Sequence, residues 1–206
     1  MTINTILFDM DGVLLDAVEW HFLAFNEAVS YFGEELTETE HNEKYNGLPT
    51  AKKLELLTKE RGFPAELYDF VQFIKQKSTN KMIETYAKPY FPHEYCLSNL
   101  KNKGFALGLC SNSKRNTVEV AMERVFLKQY FDVILSNEDV SNPKPDPEIY
   151  LKAMNLLNVS NKNVLILEDN INGITAARSS GANVMEIKSP TDVNYLNVIA
   201  QIERYK

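Results

Sequence analysis

Cysteine is nearly absent. Only Cys96 and Cys110 occur in 206 residues. Their spacing fits no metal-ligand pattern and Cys110 lies in an apolar run, so two reduced, buried thiols are expected rather than a disulfide. Long hydrophobic runs are missing as well. No stretch approaches the roughly 18 apolar residues of a membrane span. The N-terminus has no basic segment leading into an apolar core, so no signal peptide is expected. An excess of basic charge is also lacking: 22 Lys and Arg stand against 28 Asp and Glu, a net charge of −6. With no basic stripe, nucleic acid is a poor partner. Repeats and low-complexity segments are absent. These absences leave a soluble cytoplasmic protein, monomeric by default, with neither membrane nor nucleic acid as partner. Hydrophobic residues at 44% are ample for a packed core. The length suits one large domain, or a core plus a smaller one.

The chemistry that is present starts at Ile6-Leu7-Phe8-Asp9-Met10-Asp11-Gly12-Val13. A short apolar run with β-branched and aromatic members reads as a buried strand. It ends in two acids. Residues two apart on a strand share a side, so Asp9 and Asp11 project together. Carboxylates this close repel, and they call for a cation, a shared proton or a function. Gly12 permits the turn that aims them outward.

From Asp16 the period changes to that of helices. Val18, Phe22, Phe25, Val29 and Phe32 form one stripe that Gly33 ends. A polar segment from Glu34 to Lys44 follows. Thr50 is placed to cap a helix over Ala51–Arg61, closed by Gly62. A longer helix is expected over Pro64–Tyr86, with Leu67, Val71, Ile74 and Met82 on one face. This helical stretch is far longer than an ordinary connection. It reads as an inserted subdomain over residues 17–87, with the core over 1–16 and 88–206. After a helix at His93–Lys103, strands at Phe105–Cys110, Phe131–Leu135, Val164–Leu167 and Asn183–Ile187 alternate with helices at Lys114–Phe126, Pro147–Leu157 and Ile171–Ser180. A last helix forms the tail. The pattern predicts an α/β core, a Rossmann-like parallel sheet with helices on both faces. Ligands of such sheets bind at the carboxyl ends of the strands.

Polar groups recur at those ends: Asp9 and Asp11, then Ser111-Asn112-Ser113, then Lys144 between Pro143 and Pro145, then Glu168-Asp169-Asn170. Taken singly, each has a plain reading as a helix cap, a solvated lysine or a charged loop. Together they suit a phosphoryl group. Asp9, Asp169 and the backbone carbonyl of Asp11 offer hard oxygens for Mg²⁺. Lys144 supplies a point charge for phosphoryl oxygens. Ser111 offers a hydroxyl and Asn112 an amide where a helix begins, and that end favours phosphate. Asp11 is left to move a proton. His21, at a helix start, fits an exposed or hydrogen-bonded residue as well as a functional one.

The segments Phe8-Asp9-Met10-Asp11-Gly12-Val13, Cys110-Ser111-Asn112-Ser113, Lys144-Pro145-Asp146-Pro147 and Glu168-Asp169-Asn170-Ile171-Asn172-Gly173 resemble the four ordered motifs of the haloacid dehalogenase-like hydrolase superfamily. The helical insert resembles its C1-type cap, near the β-phosphoglucomutase and phosphoglycolate phosphatase branch. The resemblance implies Asp9 as nucleophile and Asp11 as acid/base. It implies Ser111 and Lys144 as phosphate ligands, and Asp169 as a Mg²⁺ ligand with Glu168 beside it. The expected activity is Mg²⁺-dependent hydrolysis of a small phosphorylated metabolite, a sugar or polyol phosphate, through an aspartyl phosphate. The alternative is a β-phosphoglucomutase-like sugar phosphomutase. His21 matches a cap-hinge histidine of the mutases. Thr50 stands where they carry arginine, with Lys52 and Lys53 as the nearest cations. Specificity is expected from Gly47 to Lys53 together with Trp20 and His21. A signalling receiver domain also joins acids, a Ser or Thr and a Lys on such a sheet, but the helical insert and the Asp9/Asp11 pair speak against it.

Overall fold

The computed structural model describes residues 2–205. Its centre is β1 (Thr5–Phe8), every residue of which is buried. Neighbours on both sides and helices on both faces explain why this strand is a continuous apolar run rather than an alternating one. β2 (Ala106–Cys110), β3 (Val133–Leu135), β4 (Val164–Glu168) and β5 (Asn183–Glu186) complete a five-stranded sheet in the order β3-β2-β1-β4-β5. All four pairings are parallel, with Leu7 beside Gly108 on one side and Ile166 on the other. The chain builds outward from β1 through β2 to β3, then crosses back to β4. The crevice where strand order reverses therefore opens at the carboxyl ends of β1 and β4.

The long connection from β1 to β2 is helical. It holds α1 (Val18–Ser30), the short turn α2 (Glu38–Glu40), α3 (Thr50–Arg61) and α4 (Tyr68–Tyr86). Phe25, Val29, Leu36, Tyr45, Leu54, Leu57 and Val71 pack there into an apolar cluster of their own. The two faces of the sheet are covered by separate clusters. α5 (Phe91–Asn102) leads into β2, and α6 (Arg115–Arg124), α7 (Glu148–Leu156), α8 (Ile171–Ser179) and α9 (Tyr195–Glu203) complete the core. No helix among the described residues is long and apolar enough to cross a membrane. Cys96 and Cys110 are buried and unpaired.

Several elements differ from the sequence reading. The polar segment 34–44 is not plain loop: Thr37 caps α2, and a wide helical turn follows at His41–Tyr45, with His41 and Tyr45 buried. Thr50 does not cap α3. Pro49 is the cap residue, extended at φ −57° and ψ 149°, and Thr50 is the first helical position. Ala65–Leu67 forms a 3-10 turn before α4. The buried face of α4 is Val71, Lys75, Ser78, Thr79 and Ile83; of the expected face Val71 is buried, while Leu67 and Ile74 pack at the edge of the insert's apolar cluster. α5 starts two residues earlier than expected, with Pro92 in its first turn, where a missing N–H costs nothing. The third strand begins at Val133, two residues later than expected, after a 3-10 turn at Lys128–Tyr130.

Candidate active site

Asp9 follows β1 directly, and its backbone N–H still donates to Leu167 O at 3.0 Å, so the strand ladder fixes its place. In the next turn the Met10 carbonyl accepts from Leu14 and Leu15, and Gly12 N–H donates to Leu15 O. The Asp11 carbonyl takes part in none of these bonds. Gly12 has φ +83°, and a Cβ there would stand 2.1 Å from Asp169 Oδ2, so only glycine lets the turn lie this close to β4.

Lys144 is the hub beneath the site. It is only 2% exposed. Its Nζ donates to Asp9 Oδ1 and to Glu168 Oε1, both at 2.6 Å, and to Cys110 O at 2.8 Å. The Tyr150 hydroxyl also donates to Glu168 Oε1, and its ring centroid lies 4.9 Å from the ammonium. One buried cation thus ties the ends of β1, β2 and β4 together. Burial alone would drive the lysine proton off, but the adjacent Asp9 and Glu168 outweigh it and hold the group above its ordinary pKa. Asp9 is raised too, which in an acid favours the neutral form. Burial and the nearby Glu168 raise it well above the usual carboxylate range, and Lys144 only partly offsets them. Asp169 is pushed up to about 6, by burial first and then by Glu168.

Carboxylate oxygens of Asp9, Glu168 and Asp169 all lie within 4.8 Å of one another. Among the described residues, hydrogen-bond donors reach only one oxygen of Asp9, leaving Oδ2 free. Hard oxygen donors crowded by mutual repulsion, beside a backbone carbonyl outside its own turn's bonding, fit an octahedral divalent cation such as Mg²⁺.

Asp11 faces the other way, toward the helical insert. Its Oδ2 accepts from Ser113 Oγ at 2.9 Å and lies 3.0 Å from His21 Nε2. His21 Nδ1 is 3.1 Å from Lys75 Nζ. Burial raises Asp11, but the charge and hydrogen bond of His21 and the bond from Ser113 outweigh it, and the net shift is downward. Lys75 is lowered to about 8, mainly by burial. Ser111 is buried, and its Oγ accepts from Ser113 N–H at 3.0 Å, leaving the hydroxyl proton to donate.

Asn112 differs from expectation. Its Nδ2 donates to Gly47 O at 3.1 Å and to Lys144 O at 3.2 Å, while its Oδ1 accepts from Lys144 N–H at 3.1 Å. The side chain is thus engaged by backbone and joins the Lys144 loop to the insert. Asn172 Nδ2 adds a bond to Asn46 O at 3.3 Å. Gly47 has φ +74°, and a Cβ there would be 2.6 Å from Asn170 Oδ1, so a side chain at this position would push the insert off the core.

A cavity of about 110 Å³ lies between insert and sheet, lined by Asp11, His21, Thr50, Lys53, Lys75 and Asp169 among others. Trp20 does not line it. It packs beside the crossing from core to insert, with its ring 6.2 Å from Tyr86, in a groove shared with Leu14 and Pro190. Successive residues on a helix point about 100° apart, and here that turn carries Trp20 to the hinge side while His21 faces the cavity. Lys52 also points away, pairing with Glu55 at 2.8 Å. Lys75 and Tyr150 carry no role in the sequence reading, and Ser113 appears there only as part of its motif. Lys75 carries a readable signal, a lysine four residues after Val71 on what becomes the buried face of α4.

The comparisons agree with this geometry. Residues 6–187 match the family model described as haloacid dehalogenase-like hydrolase. A phosphorylated carbohydrates phosphatase of Thermotoga maritima is 30% identical over 178 residues, spanning 86% of this chain and 82% of that protein. A pyrophosphatase PpaX of Bacillus mycoides is 26% identical over 196 residues, spanning 91% and 84%. Among solved structures, CbbY of Rhodobacter sphaeroides in complex with phosphate superposes with a TM-score of 0.80 at 25% identity, covering 88% of this chain and 84% of that one. With the acids, the lysine and the serines in motif order on this parallel sheet, the chain belongs to the haloacid dehalogenase-like hydrolases.

Proposed function

We propose that this hydrolase is a Mg²⁺-dependent phosphatase that removes phosphate from a small phosphorylated metabolite through an aspartyl phosphate on Asp9. The observation that carries the reading is the division of labour between two neighbouring acids. Asp9 is bound to Lys144 inside the sheet crevice, whereas Asp11 is held by Ser113 and His21 toward the cavity. The phosphatase names of the curated relatives support it.

A Mg²⁺ ion held by Asp9, Asp169 and the Asp11 carbonyl, with Glu168 close by, would neutralise the phosphoryl oxygens. Lys144 holds Asp9 in place and favours its ionised form, and Ser111 donates to a phosphoryl oxygen. Asp9 Oδ2 attacks phosphorus in line. The bond to the leaving oxygen breaks, and that oxygen takes a proton from the Asp11–His21 pair. In the second half, the same pair removes a proton from water as the water attacks the aspartyl phosphate. Inorganic phosphate leaves, and Asp9 and the proton are restored. The helical insert over residues 17–87 acts as a cap, and its contacts with the core through Gly47, Asn46 and Gln76 exclude bulk water during the transfer.

The rival is a phosphomutase, favoured by the contact of His21 with Asp11. The two part on the fate of the aspartyl phosphate. On β-glucose 1-phosphate with a trace of glucose 1,6-bisphosphate, ³¹P NMR is expected to show inorganic phosphate or no reaction. Glucose 6-phosphate appearing faster than inorganic phosphate overturns hydrolysis. A panel of phosphorylated metabolites is expected to release phosphate with Mg²⁺ and none with excess EDTA.

The raised carboxyls set a pH dependence. Asp169, ionising at about 6 rather than 3.8, holds a proton in the folded state that the unfolded chain releases. The metal-free fold therefore loses stability as pH rises through that window, and Asp9 adds to the loss in the same direction. Mg²⁺ binds the ionised form and reverses it. The rise in Tm with saturating Mg²⁺ is expected to be larger at about pH 7.5 than at about pH 5. An equal rise at both removes Asp169 and Asp9 from the metal site.

A further inference from the structure

Lys53 is in the second turn of α3 and is only 3% exposed, yet it lines the cavity. Among the described residues its Nζ has one polar partner, His41 Nε2 at 2.9 Å. The Phe25 ring lies beneath it, 5.6 Å from the ammonium. His41 is itself buried, packed 5.2 Å from the Phe22 ring, and is held neutral: burial and then Lys53 lower it to about 3. It orients Lys53 but supplies no counter-charge. Lys75 repeats the pattern one helix away, nine-tenths buried and touching His21 rather than an acid. The ion pairs among the described residues include neither lysine. The acid whose charge reaches both is Asp11, already engaged by Ser113 and His21.

Two buried lysine amines thus face one small cavity with no carboxylate on their side of it. Burial lowers both, Lys53 well below its ordinary range, so an anion entering the cavity would stabilise their protonated form and be held by it. Solvent is one residue away, since the preceding Lys52 is exposed and pairs with Glu55. A neutral polyol would need only hydroxyls and amides, which Thr50 and Gln76 already offer at the same wall.

We propose that the leaving group of the substrate carries a second anion, a carboxylate or a second phosphoryl group, and that Lys53, oriented by His41, receives it with Lys75 alongside. This deepens the phosphatase reading and rests on it for where the first phosphate sits. Lys53 is then the specificity residue, and Thr50 a neutral neighbour. The contact replaces two-pronged arginine recognition by a point charge, which accepts either anion.

Three inert probes separate the possibilities by calorimetric titration in Mg²⁺: phosphonoacetate, propane-1,3-bisphosphonate and 2-hydroxyethylphosphonate. One or both of the doubly anionic probes are expected to bind at least about tenfold tighter than the hydroxyl probe. The tighter of the two names the anion. Lys53→Met is expected to bring all three within about twofold of one another while leaving the hydroxyl probe's affinity unchanged, and Lys53→Arg to keep the preference. Equal affinities in the wild-type protein, loss of all three alike in Lys53→Met, or no binding of any probe overturns the proposal. If the preference holds but the corresponding phosphate esters release no phosphate, the subsite stands and the phosphatase reading falls.

Discussion

Replacing Asp9 with asparagine is expected to abolish turnover in a protein that still folds. The amide keeps nearly the same shape, and its oxygen can still accept from Lys144. It is a poor nucleophile and a poor Mg²⁺ ligand, so kcat should fall by more than about 10⁴-fold, the scale on which loss of a covalent nucleophile is felt. The fold should not suffer. Asp9 is buried beside Glu168 and its carboxyl sits well above the usual range, so its charge weakens the metal-free protein at neutral pH. Without Mg²⁺, the melting temperature of Asp9→Asn is expected to equal or exceed that of the wild type, and addition of Mg²⁺ should raise it less. A folded variant that retains a tenth of the wild-type kcat ends the nucleophile assignment. A strongly lowered melting temperature would show that the charge of Asp9 is structural.

Replacing Lys144 with methionine is expected to remove activity and stability together. The lysine is the common partner of Asp9 and Glu168, and both acids lie within 2.6 Å of its ammonium. Without it two buried carboxylates face each other, with the Tyr150 hydroxyl and the Asp169 N–H left as donors to Glu168 and neither a charge. Removing one partner of a buried ion pair costs about 3–5 kcal/mol, out of a total of about 5–15 kcal/mol for a typical domain. The folded pKa of Lys144 lies above its unfolded value. Its contribution is therefore complete at neutral pH and would fade only as pH rises through the folded value. In the variant the orphaned carboxyls can recover by taking protons, so the deficit should shrink as pH falls. Urea melts in EDTA at about pH 7.5 and about pH 5 measure both effects. A variant within about 1 kcal/mol of wild type at the higher pH would contradict the hub role. Lys53→Met is the natural control. That lysine is equally buried but has no acid partner, so methionine there should cost little or even stabilise.

Features that depend on order and period along one element can be read without the fold. The apolar run of β1 and the acids that end it are local, as are the alternation of strands and helices after Gly104 and the position of the long helical insert. These follow from periods of 2 and 3.6 and from turn chemistry, which act over a few residues. The motif acids, Lys144 and Ser111 were legible for a related reason: parallel strands deliver their carboxyl ends to one edge, whatever the details of packing. The tertiary structure decided what depends on how separate elements dock. Lys144 taken alone reads as a solvated lysine, and only the pairing of β1 with β2 and β4 encloses it. Trp20 and His21 are adjacent in sequence, and the angle at which α1 meets the sheet sends one to the hinge and the other to Asp11. Asn112 offers an amide at a helix start, but the approach of Gly47 from a distant loop engages it. Lys53 and Lys75 interrupt their helices' apolar faces and so resemble solvated positions, until α3 and α4 close over the crevice and bury both without a counter-charge. Side-chain spacing specifies faces, and the free energy of packing between faces decides which of them meet.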